Sequence, residues 1–199
     1  MVVKTKNVQR RLKADERRKT IMMAAMRLFV EKGYSTTRME EIAEAAGCTT
    51  GPLYHFFKTK HDVFAALAEQ TFTAFVGRAR AYRETINEQS PLQRMKASID
   101  MIMDEVEYTS AQMFIRDTPN VLGEQMWSDV IDELMTKSFE HDLRDAMIDN
   151  LIEPEPPLPV AQFFSAAVVN AISRADPKDK ESLRRSKNAI LRMVDRLST

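Results

Sequence analysis

Residues 48–60 read CTTGPLYHFFKTK, and the fold follows from this stretch. Thr49 is a good N-cap residue, because its hydroxyl can accept a hydrogen bond from a free backbone N–H at the start of a helix. Pro52 is tolerated directly behind it, since the first turn of a helix has N–H groups to spare. The stretch therefore predicts a short helix over residues 50–56.

A longer helix is predicted to begin at the end of the same stretch. Thr59 caps it, with Asp62 three residues later, and its apolar stripe continues to about Tyr82. Lys60 lies in the first turn, where a cation opposes the helix macrodipole. A phosphate held jointly by this lysine and the helix amides would explain its placement.

Two further helices are predicted upstream. Apolar residues recur at spacings of three and four over residues 15–32, and Gly33 ends that helix as a left-handed cap. Thr37 and Glu40 form a capping box for a second, short helix that closes at Gly47. A helix, a tight turn and another short helix form the helix-turn-helix arrangement, which places its last helix in the major groove of DNA.

The composition predicts an all-α chain with two electrostatically different parts. The 199 residues include 5 Gly against 13 Met, and this scarcity of turn residues favours helices. A net charge of zero argues, taken alone, against a nucleic-acid binder. However, residues 1–60 carry a net charge of +7 and residues 61–199 a net charge of −7. We interpret this asymmetry as a basic N-terminal part that contacts phosphates and an acidic C-terminal part that does not contact DNA.

Several function classes are excluded by what the sequence lacks. The single cysteine, Cys48, allows neither an internal disulfide framework nor a Cys-based zinc site. The longest apolar runs have six residues, far below the roughly 20 that a membrane span requires. The sequence has no Gly-rich phosphate loop and no nucleophile motif, and its three histidines are scattered. We therefore predict a cytoplasmic protein that is not an enzyme, uses no metal or cofactor and binds no membrane.

Residues 16–60 resemble the DNA-binding domain of the TetR family of bacterial transcriptional regulators. The resemblance implies a three-helix helix-turn-helix domain and a larger helical domain for ligand binding and dimerisation, about nine helices in total. It divides the chain into a basic, disordered arm over residues 1–14, a DNA-binding domain over 15–60 and an effector and dimerisation domain over 61–199. The residues that carry the resemblance are Gly33 and Tyr34, then Ile42, Ala43, Ala46 and Gly47, and finally Leu53, Tyr54, Phe57 and Lys60.

The resemblance also implies which residues contact DNA. Small groups at the start of the third helix would meet base edges, and one threonine, one tyrosine and one lysine would contact phosphates. A histidine would lie against the backbone or a base. The alternative for Thr37 is a cap alone, and for Tyr54 core packing alone. The predicted DNA-binding residues are Thr37, Thr49, Thr50, Gly51, Pro52, Tyr54, His55 and Lys60.

For the effector, the resemblance implies a cavity among the middle helices, lined by soft or aromatic side chains that suit an apolar or aromatic molecule. Ordinary core packing is the alternative for any one of them. The predicted pocket residues are Phe72, Phe75, Met95, Met103, Met113, Phe114, Trp127 and Phe139.

The helix predicted over residues 160–174 is apolar on nearly all sides, so one side needs a partner. The resemblance implies a homodimer through the last two helices. The predicted interface residues are Phe163, Phe164, Ala167, Val168, Ile172, Ile190, Val194 and Leu197.

The function that these features predict is sequence-specific transcriptional regulation. We expect a homodimeric repressor that binds a pseudo-palindromic operator on double-stranded DNA. A small-molecule effector would shift the helix over residues 60–82 and release the operator. The alternatives are a helix-turn-helix interaction protein without ligand control and, least favoured, an enzyme.

Overall fold

The computed structural model describes residues 2–107, 110–176 and 179–198. These residues fold into helices, and the only β-pairing within the three ranges is one antiparallel bridge between Ile152 and Ser198. None of the helices in these ranges combines the length and the apolar character that a membrane span needs. The predicted all-α fold is confirmed.

The chain forms two compact units, an N-terminal unit (Met1–Gln70) and a C-terminal unit (Thr71–Thr199). The division falls inside a helix, ten residues beyond the point at which the sequence suggested a boundary. The described residues form nine helices, of which the first three and the start of the fourth belong to the N-terminal unit. They are α1 (Val2–Lys32), α2 (Met39–Ala45), α3 (Thr50–Phe56) and α4 (Lys60–Thr85).

Three of the predicted helix boundaries are confirmed in the N-terminal unit. Gly33 (φ 88°) and Gly47 (φ 65°) adopt the left-handed conformation that ends α1 and α2. At the start of α4, the Thr59 N–H donates to the Asp62 carboxylate at 2.9 Å, and the Asp62 N–H donates to the Thr59 hydroxyl at 3.1 Å. This reciprocal pair is the capping box that the sequence predicted.

The start of α1 differs from the prediction of a disordered arm over residues 1–14. The helix begins at Val2, because the segment contains good helix formers and neither glycine nor proline to stop it. The side chains of residues 2–7 and of Arg10 lie outside the described part of the chain. Those of Arg11, Lys13, Arg17 and Arg18 are exposed along α1.

The start of α2 also differs from the prediction. The helix begins one residue later than a Thr37 cap would place it, with Arg38 as the N-cap, whose N–H donates to the Glu41 carboxylate at 2.8 Å. The Thr37 hydroxyl instead donates to the Gly33 carbonyl at 2.8 Å. Both pairs have the spacing of a capping box, so the sequence pattern could not choose between Glu40 and Glu41.

The core of the N-terminal unit is an aromatic cluster between α1, the following turn and α4. The ring centroids of Phe29, Tyr34 and Phe64 lie 5.0–5.9 Å apart in tilted or edge-on geometries. Ile42 of α2 and Leu53 of α3 are fully buried in the same unit. All four helices of this unit thus bury apolar residues in one core.

The C-terminal unit contains the rest of α4 and five further helices. In it, α5 packs against the second half of α7 and against α9, and α8 packs against α6, α7 and α9. One of these helices, α7, passes through a π-helical turn, a feature often found near functional sites. The helices are α5 (Pro91–Glu107), α6 (Ala111–Leu122), α7 (Glu124–Ile131, the π-helical turn Asp132–Thr136 and Lys137–Ile148), α8 (Pro157–Arg174) and α9 (Lys180–Asp195).

Candidate DNA-binding surface and ligand cavity

The N-terminal half of α3 presents small polar groups to solvent. Thr49 occupies the N-cap position of the helix, as predicted, but its hydroxyl accepts no capping hydrogen bond. Leu53 is fully buried, so the helix has one inner and one outer face. Tyr54 is 39% exposed, and its ring does not serve the core alone. The predicted DNA-binding residues that are exposed or half-buried here are Thr49, Thr50, Gly51, Pro52, Tyr54 and His55.

Contacts at the C-terminal end of α3 hold the helix in place. Phe57 is buried, and the guanidinium of Arg18 lies 5.2 Å from its ring centroid in a cation–π contact. Leu53, one turn earlier on the same side, is fully buried as well. The exposed residues therefore project from a helix whose position is set by side chains on its other face.

Lys60 does not point to solvent as a phosphate ligand would. Its ammonium donates to the backbone carbonyls of Tyr34 at 2.7 Å, Ser35 at 3.1 Å and Thr37 at 2.9 Å, and lies 4.4 Å from the Tyr34 ring centroid. Burial lowers the pKa of this lysine. An ammonium has three N–H donors, and each has an acceptor here. We call this arrangement the Lys60 clasp.

The predicted phosphate contacts of Thr37 and Lys60 are therefore corrected. Thr37 is 1% exposed and its hydroxyl donates to a backbone carbonyl, so its side chain is not on the surface. Lys60 closes the turn between α1 and α2 with its three donors. Its placement at a helix N-terminus, against the macrodipole, is thus explained by carbonyl acceptors within the protein.

A cavity of about 310 Å³ lies in the C-terminal unit among α4, α5 and α7. Of the eight predicted pocket residues, only Phe139 lines it. Trp127 lines a second, more open cleft of about 480 Å³ between α7 and α8. The cavity among α4, α5 and α7 is lined by Ala79, Arg80, Arg83, Glu84, Ser98, Met101, Ile102, Glu133, Leu134, Ser138 and Phe139.

The other predicted pocket residues form the core. The Phe72 ring packs against Phe114 and Trp127, with centroids 6.3 and 6.0 Å away. Apolar residues at helical spacing are typical of both a core and a pocket wall, so the pattern could not separate the two. The corrected assignments to the core are Phe72, Phe75, Met95, Met103, Met113 and Phe114, all of them buried.

A buried ionic network forms one end of this cavity, and sequence reasoning missed it. Asp142 is 0% exposed and accepts two hydrogen bonds from Arg83, at 2.5 and 2.8 Å, and one from Arg94 at 2.9 Å. Arg94 also donates to Asp145 at 2.5 Å, and Arg83 donates to the Ser98 hydroxyl at 3.3 Å. The signal that could have revealed it is an arginine inside the apolar stripe of α5.

Two family models match the chain. Residues 21–67 match the model described as "Bacterial regulatory proteins, tetR family". Residues 89–197, more than half of the chain, match the model described as "Tetracyclin repressor-like, C-terminal domain". The chain belongs to the TetR family. The resemblance that residues 16–60 carry is thereby confirmed.

Relatives of this TetR-family chain include regulators of both signs. It is 32% identical over 100 residues to the HTH-type transcriptional activator FasR of Mycolicibacterium smegmatis, covering 50% of this chain but less than half, 45%, of FasR. It is 26% identical over 144 residues to the HTH-type transcriptional repressor KstR2 of the same species, covering 64% of this chain and 69% of KstR2.

The fold is shared with other proteins of known structure. AibR, solved in complex with isovaleryl coenzyme A and operator DNA, superimposes with a TM-score of 0.68 at 20% identity, covering 89% of this chain and 97% of AibR. At that identity the similarity concerns the fold alone.

The last two helices of this TetR-family chain differ from the predicted dimer surface. Phe163 is 53% exposed and borders a shallow apolar groove with Pro159 and Met193. The apolar pattern of a helix does not reveal which of its sides packs against the core of its own chain. Most of the predicted interface residues pack against that core. The buried ones are Phe164, Val168, Ile172, Ile190 and Val194, whereas Ala167 and Leu197 are half-buried.

Proposed function

We propose that this TetR-family chain is a cytoplasmic, sequence-specific transcriptional repressor and not an enzyme. It acts as a homodimer, binds a pseudo-palindromic operator and is released by a small effector. The observation that carries the proposal is the outer face of α3, where small polar groups project from a helix that the core holds in place. Such an arrangement suits reading base edges in a major groove.

The proposed roles on α3 follow from the chemistry of its exposed side chains. Thr50, Gly51 and Pro52 offer methyl, backbone and ring contacts to bases, which leaves part of the specificity to DNA shape. Tyr54 donates to a phosphate, and His55 lies against the backbone or a base. With the Thr37 and Lys60 side chains bonded to backbone carbonyls, further phosphate contacts would come from the exposed cations of α1, which include Arg11, Lys13, Arg17 and Arg18.

The operator experiment tests the proposal directly. Fluorescence anisotropy with DNA from upstream of the protein's own gene should give specific binding whose logarithmic affinity falls linearly with the logarithm of the salt concentration. Binding to the operator should exceed binding to scrambled DNA by about 1,000-fold or more. Binding that ignores sequence, or that does not weaken with salt, would contradict the repressor assignment.

Two variants separate contacts to phosphate from contacts to bases. Tyr54→Phe should weaken binding about two- to tenfold on every sequence, because it removes one hydroxyl donor. Thr50→Ala should instead change the preference at one base pair, by about 1–3 kcal/mol. Thr73→Ala on the exposed side of α4 is the matched control and should change neither quantity. A loss of sequence preference in Tyr54→Phe would show that the roles are reversed.

The proposed dimer uses the exposed side of α8. Phe163→Ser should raise the dimer dissociation constant about thirtyfold, because a half-exposed phenylalanine bordering an apolar groove has the character of an interface anchor. Sedimentation equilibrium measures this dissociation constant. Ile148→Ser, at an apolar residue that is 70% exposed at the end of α7, is the control and should leave the dimer intact. An unchanged dissociation constant in Phe163→Ser would place the interface elsewhere.

The effector is proposed to bind in the cavity among α4, α5 and α7. Helix α4 contributes residues to both units, so a ligand that prefers one position of this helix can shift the population that is competent to bind DNA. The second candidate function, a helix-turn-helix interaction protein without ligand control, predicts that no ligand of this cavity alters operator binding.

A further inference from the structure

The cavity among α4, α5 and α7 has two chemically different walls. One wall is apolar and includes the Phe139 ring and the side chains of Ile102 and Leu134. The other is polar and includes Arg83, Ser98 and Ser138. The sequence suggested an apolar or aromatic effector; one with no polar group would cover the polar wall without satisfying its hydrogen bonds.

Arg83 is held rigidly at this polar wall and keeps donors to spare. Its guanidinium donates three hydrogen bonds, two to Asp142 and one to Ser98. A guanidinium has five N–H donors, so two remain without an acceptor among the described residues. A ligand in the cavity that carries an acceptor oxygen would satisfy them.

The charges at this wall are already compensated. Asp142 neutralises Arg83, and the wider network of two arginines and two aspartates has no net charge. Arg80, at the edge of the cavity, pairs with Glu133, which also accepts from Lys137 at 2.9 Å. No cation that lines the cavity is therefore without a carboxylate partner in the described part of the chain.

The lining disfavours charged ligands of either sign. A carboxylate would lose its hydration and meet the Glu133 and Glu84 carboxylates without gaining an unpaired cation. An ammonium would find Glu84, but this residue is exposed, and exposed ion pairs contribute little. The volume of about 310 Å³ lies at the small end of ligand pockets, so a nucleotide-bearing thioester would not fit inside.

We propose that the cavity binds a small uncharged molecule that has an apolar ring or chain and one carbonyl-type acceptor oxygen. The acceptor receives hydrogen bonds from Arg83, and the apolar part lies against Ile102, Leu134 and Phe139. This inference rests on the proposed function in taking the cavity as the effector site, and it names the class of the effector.

Three nearly isosteric probes test the charge preference. Benzamide is neutral, benzoate is an anion and benzamidine is a cation at neutral pH. Isothermal titration calorimetry with the full chain in the absence of DNA should give benzamide an affinity at least about tenfold higher than that of either charged probe. Tighter binding of benzoate or benzamidine overturns the proposal, and so does the absence of binding by all three.

A charge variant ties the preference to the cavity. Glu133→Gln removes the carboxylate that compensates Arg80 and Lys137, so the affinity for benzoate should rise at least about tenfold while that for benzamide changes by less than about threefold. The matched control is Glu140→Gln, whose carboxylate pairs with Arg144 at 2.6 Å and does not line the cavity. An unchanged benzoate affinity in Glu133→Gln overturns the charge argument.

Operator binding distinguishes the failure of this inference from the failure of the proposed function. If the chain binds its operator but no probe, the ligand class is wrong and the repressor assignment stands. If benzamide binds with the expected preference but leaves operator affinity unchanged, the ligand class stands and release by this effector is wrong.

Discussion

Asp142→Asn is expected to lower the free energy of unfolding by about 3–5 kcal/mol. The carboxylate is fully buried and is the common acceptor of Arg83 and Arg94, which come from two other helices. Its loss leaves two guanidinium groups in the interior with part of their charge uncompensated. Urea denaturation followed by circular dichroism measures the change, since helix content reports on the whole fold.

The control for Asp142 is an ion pair at the surface of the same helix. Glu140→Gln breaks a contact with Arg144 that is exposed to water, and it should cost less than about 1 kcal/mol. The double replacement of Arg83 and Asp142 by Met and Leu should cost less than the sum of the two single changes, because both charges of this pair are removed together and Arg94 keeps Asp145. Equal costs for Asp142→Asn and Glu140→Gln would show that the network does not stabilise the C-terminal unit.

Lys60→Met is expected to lower the free energy of unfolding by about 2–4 kcal/mol, since hydrogen bonds to a charged group contribute about 1.5–3 kcal/mol each and are not additive. Methionine keeps an unbranched side chain as far as the ε position but cannot donate to the carbonyls of Tyr34, Ser35 and Thr37. The same denaturation experiment measures it. Operator affinity should fall mainly because the turn before α2 loosens.

Lys58→Met is the matched control, because this lysine is exposed two residues earlier. It should change the stability by less than about 0.5 kcal/mol. The sequence alone had favoured a phosphate contact for Lys60, and the two interpretations give opposite results. If Lys60→Met keeps full stability but loses operator affinity and about one unit of salt slope, the lysine is a phosphate ligand after all.

Local signals in the sequence were sufficient for most of the fold. Gly33 and Gly47 were recognisable as helix ends because no other residue adopts a positive φ at so little cost. The pair of Thr59 and Asp62 was recognisable because both members lie within one turn. The start of α2 was not recognisable, because Thr37 with Glu40 and Arg38 with Glu41 have the same spacing. The choice between these two adjacent capping registers depends on which residues the core buries.

The sites needed information that no local pattern contains. The partners Arg94 and Asp142 are 48 residues apart in the sequence, and Arg83 and Asp142 are 59 residues apart. The sequence around one partner therefore does not indicate where the other lies. In the same way, helical periodicity identified Phe163 and Phe164 as apolar neighbours but not which one faces the core. The polar character of the cavity follows from these long-range pairings.

The Lys60 clasp has a consequence for which positions can change during evolution. Its three acceptors are main-chain carbonyls, which every amino acid supplies. The exposed residue Ser35 can therefore be replaced without removing an acceptor, whereas lysine is the only residue whose side chain carries three donors on one terminal atom. A contact between a side chain and the main chain fixes the identity of the donor residue but not that of the acceptor residues. The turn can therefore keep its shape while the side chains of acceptor residues such as Ser35 change.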